Sequence, residues 1–123
     1  AEPDVGDNGM HASASPFEGF AERNNWLSVP VKDDAFGSAM LAAGLSESLI
    51  KAWSVDPQVI VEAGKKGSIF DQLEDLDCQE CLEKIVELFR LDQAEERRAR
   101  AIQPSESTFL DRLKALLCGG RRR

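Results

Sequence analysis

From Asp33 onward, each apolar run in this chain follows a Ser or an Asp, and several are followed by a Gly or a Pro. Residues of the first kind accept hydrogen bonds from the free N–H groups of a helix start. Residues of the second kind end a helix by adopting positive φ or by lacking an N–H. This punctuation favours helices, most of them short. Asp33 or Asp34 caps a segment carrying Phe36, Met40, Leu41 and Leu45, with Gly44 as its stop. Ser46 caps a second helix, Glu47–Trp53, with Leu49, Ile50 and Trp53 on one face. Asp56-Pro57 has the form of a cap followed by Pro at the first helical position. A third helix is expected there, carrying Val59, Ile60 and Ala63 and ending at Gly64. Lys65-Lys66-Gly67 reads as a turn, and Ser68 caps a fourth helix with Ile69, Phe70, Leu73 and Leu76 inward.

The longest helix has the clearest signature. Asp77 caps it and Glu80 completes a capping box. Cys81 or Leu82, Ile85, Val86, Leu88 and Phe89 form a broad apolar stripe. Gln93–Ala101 is charged on nearly every side, and Pro104 stops the helix. A final helix starts at Ser105 or Ser107 and ends at Gly119-Gly120. Its Phe109, Leu110, Leu113, Leu116 and Leu117 form a strongly amphipathic face.

Upstream, residues 17–31 hold Phe17, Phe20, Trp26, Leu27, Val29 and Val31 without a clear period. They read as an extended arm lying on the helical domain, with short helical content around Phe17–Arg23. Residues 1–16 are Gly, Ser, Pro, Asp and Ala with little to bury, and read as a flexible tail. The expected fold is all-α: a compact bundle of five to six short helices behind that tail. Three segments follow: the tail at 1–16, the helical domain with its arm at 17–103, and the amphipathic helix with a basic tail at 104–123. Phe70, Leu73, Leu82, Ile85 and Phe89 are the expected core.

The chemistry a sequence of this composition supports is narrow. It has 123 residues, one His, three Cys and no Tyr. A nucleophile needs an adjacent base, and His11 lies in the tail, where a solvated imidazole is expected. Gly64-Lys-Lys-Gly67-Ser lacks the spacing of a phosphate loop. No EF-hand loop occurs among the acids from Asp71 to Glu87. Cys78 and Cys81 form a CxxC, but a structural zinc site needs four ligands. The other candidates, His11 and Cys118, lie at opposite ends. The pair reads as two small apolar residues on one helix face, with thiols kept protonated by surrounding carboxylates. No enzyme, cofactor or metal is expected. Reduced thiols place the chain inside the cell. No stretch approaches the roughly 20 apolar residues of a membrane span. Residues 1–16 lack the basic start and apolar centre of a signal peptide. A chain that begins with Ala reads as a processed form or an excised piece.

Charge is sorted along the chain. Residues 1–96 hold 20 acids and 7 bases, and residues 97–123 hold 2 acids and 8 bases. The body repels nucleic acid, whereas Arg97, Arg98, Arg100, Arg121, Arg122 and Arg123 form a weak polyanion-binding segment. The stronger candidate is the last helix. Leu113-Lys-Ala-Leu116-Leu117 sets three leucines in one ridge, which either packs as a core helix of the same chain or enters the groove of a partner or a second copy. The function expected is therefore a non-catalytic protein-interaction domain: an adaptor, regulator or effector binding another protein or a second copy of itself. A nucleic-acid-associated regulator using the basic C-terminal segment is the alternative.

Overall fold

The computed structural model describes residues 2, 4–6, 8–102 and 106–118, and in the last helix it describes side chains at 110–117. It is mostly helical, with a small two-stranded sheet. The elements are α1 (Pro16–Leu27), a 3-10 turn (Val31–Asp33), α2 (Ala35–Ala42), α3 (Glu47–Trp53), β1 (Gln58–Glu62), β2 (Lys65–Ser68), α4 (Ile69–Leu73), α5 (Cys78–Ile102) and α6 (Glu106–Cys118). They divide into two units, Ala1–Asp92 and Gln93–Arg123, and α5 runs through the division.

Caps set most of the helix starts. Asp34 accepts from the N–H groups of Phe36 and Gly37, and so starts α2. Gly44, at φ +100°, ends the chain's path through that helix. Its N–H reaches Leu41 O, and the N–H of Leu45 reaches Met40 O, the paired bonds of a Schellman motif. The Ser46 hydroxyl accepts from Leu49 N, and Ser68 from Asp71 N. At α5 the capping box forms in both directions: Glu80 N donates to Asp77 Oδ1, and Asp77 N to Glu80 Oε2.

Two expectations are corrected. The first is the arm at 17–31. Residues 16–27 form α1, with the Ser15 hydroxyl accepting from Glu18 N and Pro16 at the first position. Phe17, Phe20 and Ala21 are buried at helical spacing. Trp26 and Leu27 are exposed, and their apolar character hides the period. Pro30 lies past the helix end, where Ser28 takes φ 53°.

The second correction is the all-α class. The helix expected after Asp56-Pro57 is a β-hairpin. β1 pairs antiparallel with β2, matching Gln58 with Ser68, Val59 with Gly67, Ile60 with Lys66 and Glu62 with Lys65. Gly64 turns the chain at φ +77°. Asp56 sits at φ 53° and does not cap a helix at 57. Its carboxylate instead accepts from the Ser68 hydroxyl at 2.6 Å and from Phe70 N at 3.0 Å, clasping the two ends of the hairpin at the start of α4. The segment Lys65–Ser68 has no large apolar residue, so hydropathy gives no sign of its strand. Backbone pairing to the β-branched run Val59–Val61 creates it.

One core fills the first unit. Phe17, Phe20, Val31, Met40, Ile50, Ile69, Leu73, Cys81, Ile85 and Leu88 are essentially inaccessible. The Phe17 ring stacks on Phe20 at 6.0 Å and meets Phe70 edge-on at 5.9 Å. Of the five expected core residues, Leu73 and Ile85 are buried, while Phe70, Leu82 and Phe89 pack half-buried against the cluster. Gly37 lies where the chain approaches itself: a Cβ there meets Val31 O in hard overlap and Phe20 Cε2 at 2.9 Å.

Candidate functional site

The unit 93–123 carries the apolar face singled out by the sequence. α6 is helical from Glu106 to Cys118. Its Leu110, Leu113, Leu116 and Leu117 are 55%, 39%, 79% and 81% exposed. Leu110, Leu113 and Leu117 fall at i, i+3 and i+7 on one stripe, and Leu116 flanks it. Phe109 belongs to the helix, but its side chain lies outside the described residues. A helix of 13 residues is marginal in water when its apolar face is left uncovered. This ridge therefore has much to gain from an apolar surface.

Of the basic residues in the candidate segment, Arg97, Arg98 and Arg100 are exposed on α5. Arg98 stands 3.9 Å from Glu95, and Arg100 stands 3.8 Å from Glu96. Both pairs are exposed and loose, so each contributes little to stability. They do lower the positive potential that segment presents. Arg121, Arg122 and Arg123 lie outside the described residues.

The first unit offers a groove. A cleft of about 570 Å³ is lined by Pro16, Ala35, Phe36, Ala39, Cys78, Gln79 and Leu82, with Arg23 as its one charged residue among those described. A smaller one of about 300 Å³ shares Leu82 and is lined by Ala43, Glu83, Val86 and Arg90. Small alanines on α2 leave room against the longer side chains of α5. The unit holding this groove carries 18 acids and 7 bases, and the unit 93–123 carries 4 acids and 8 bases.

The cysteines part ways. Cys81 is buried and Cys78 exposed, both as free thiols. Burial pushes the Cys81 thiol up to about 11, against a smaller opposing effect of a backbone hydrogen bond with Phe17. At neutral pH it is a packing residue with almost no thiolate. The expectation that carboxylates keep it protonated is replaced by desolvation, and only one of the two thiols faces inward.

His11 is exposed, as expected of a solvated imidazole, but it is not free of the helical domain. It meets Glu22 of α1 through Nε2 and Oε1. The Ser13 hydroxyl donates to Glu22 Oε2 at 2.9 Å, and Ala14 N donates to Glu18 Oε2 at 2.9 Å. Asp75 N in turn donates to Ala14 O. Residues 11–15 thus lie along α1. The hydrogen bonds from His11 and Ser13 hold the Glu22 carboxyl below its ordinary value. The signal for this was Ser15-Pro16-x-Glu18, a capped helix start with a second Glu four residues on.

No family model matches the chain, and no curated protein or solved structure is detectably similar to it. No helix among the described residues is long and apolar enough to cross a membrane.

Proposed function

We propose that this chain is a non-catalytic, intracellular protein-interaction domain, an adaptor or regulator that binds through α6, and that its occupant is the groove of a second copy. The observation that carries this reading is the ridge of four exposed leucines on one short helix. Burying such side chains is worth about 1.5–3 kcal/mol each at full coverage. Charge favours the second copy: the groove unit is acidic and the unit bearing α6 is basic, so two copies attract where their opposite units meet. Free thiols at Cys78 and Cys81 accord with a reducing compartment.

The test is light scattering beside a thermal melt. Leu113→Glu with Leu117→Glu is expected to abolish association and leave the melting temperature of the first unit nearly unchanged. A wild-type chain that stays monomeric at high concentration, or a variant that associates as before, overturns the reading. Salt-sensitive retention on heparin, lost when Arg97, Arg98 and Arg100 become Gln, supports the alternative of polyanion binding.

A further inference from the structure

Among the described residues, one group has the composition and spacing of a metal site: His11, Glu18 and Glu22. An imidazole nitrogen and one oxygen from each carboxylate lie within 4.8 Å of one another. The two glutamates come from one face of α1, four residues apart, where like charges repel. His11 comes from the segment before the helix, turned back along it by the Ser15 cap. Gly19 lies between the glutamates: a Cβ built on it comes within 3.3 Å of Arg23 Nη1 and 3.7 Å of the Ser13 side chain.

The carboxylates are also oriented from outside the group. Ala14 N holds Oε2 of Glu18, and the Ser13 hydroxyl holds Oε2 of Glu22. Outer donors of this kind fix the direction of metal ligands. Among the described ion pairs, no Lys or Arg reaches Glu18 or Glu22, and Arg23, next along the helix, is engaged by Asp34. The site thus carries two carboxylates and one imidazole, with the Arg23 guanidinium beside Gly19 committed to Asp34.

We infer that His11, Glu18 and Glu22 form a binding site for a zinc-class divalent cation, with water completing the coordination. Imidazole with carboxylate suits Zn²⁺ among the divalent metals, and three protein ligands plus water is a recognised zinc set. Ligand distances near 2.0–2.1 Å place tetrahedral donors about 3.4 Å apart. Side-chain rotation of these exposed groups closes the gap from 4.8 Å. The bound ion clamps residues 11–14 onto α1.

The experiment is a calorimetric titration of zinc chloride into the full, chelator-stripped chain. Cys78→Ser with Cys118→Ser serves as the background, so that these two thiols do not compete. One saturable equivalent is expected, weakened about tenfold or more in both His11→Ala and Glu22→Gln. Ser13→Ala, which removes only an orienting donor, is expected to weaken binding by a smaller factor. As the chain has one histidine, its imidazole proton signals are a unique probe, and zinc is expected to shift them. Cobalt is expected to bind without a thiolate charge-transfer band. Absence of saturable heat, or equal affinity in His11→Ala, overturns the site. So does zinc binding that appears only when Cys78 and Cys118 are present. Leu113→Glu with Leu117→Glu is expected to leave zinc binding intact, so this result stands apart from that for association.

Discussion

Asp34 shows how one side chain serves two elements. It accepts from the N–H groups of Phe36 and Gly37, and from Arg23 of α1 through Nε at 2.6 Å and a terminal nitrogen at 3.2 Å. It is buried, so water does not replace these partners. Asp34→Ala is expected to cost about 2 kcal/mol, the upper end for a lost cap, as read by urea denaturation. The Arg23 guanidinium beside it, helped by the two N–H groups, holds its carboxyl below the ordinary Asp value. The unfolded chain therefore binds more protons than the folded one between the lowered value and about 3.9. The stability that Asp34 adds is whole above that range and is lost as pH falls through the folded value. The gap in stability between wild type and Asp34→Asn is expected to close on acidification. A gap that stays constant down to pH 2 shows that the charge contributes nothing. The sequence marks Asp34 as a cap, because capping is local. It says nothing of Arg23, eleven positions earlier, because that pairing needs α1 and α2 to meet.

Element-scale effects decide the sign of a substitution at Gly37. In an exposed helix, Gly→Ala gains about 1 kcal/mol. Here the added methyl collides with Val31 O and crowds Phe20. Gly37→Ala is expected to destabilise by about 1–3 kcal/mol, the range for overpacking. A melting temperature that rises instead shows that α1, α2 and the 3-10 turn are free to move apart. The same scale explains the hairpin. Val59-Ile60-Val61 is a β-branched run long enough for a strand, but a strand needs an edge to pair with. Its partner is Lys65–Ser68, whose side chains are polar or absent. No periodicity marks such a segment. Asp56-Pro57 carries the right chemistry for a cap, and Asp56 does accept from a helix N–H. The helix it serves begins at Ile69, across the hairpin.

At the scale of the whole molecule, the buried cluster runs from Phe17 to Leu88, inside the first unit. A chain ending at Asp92 is expected to melt cooperatively, with stability within about 1 kcal/mol of the full chain, since the buried cluster lies within residues 17–88. It is also expected to lose self-association. Circular dichroism and light scattering on the two lengths check both outcomes. Loss of the cooperative melt shows that residues 93–123 belong to the core. The sorting of charge coincides closely with this division. The charge changes sign after residue 96, about one helical turn past the division after Asp92.

The sequence alone determined what acts within about one helical turn. Ser46, Ser68, the Asp77–Glu80 pair, Gly44 and the stripe Cys81–Ile85–Leu88 each act on a backbone group or face a few residues away. The ridge of α6 was legible for the same reason. Tertiary structure decided the rest. It made a strand of Lys65–Ser68, turned Asp56 toward a distant helix, separated Cys78 from Cys81 by burial, and brought His11 to Glu22. Each depends on partners that are far apart in sequence or on the solvent exposure of a packed surface. Local spacing carries no record of either.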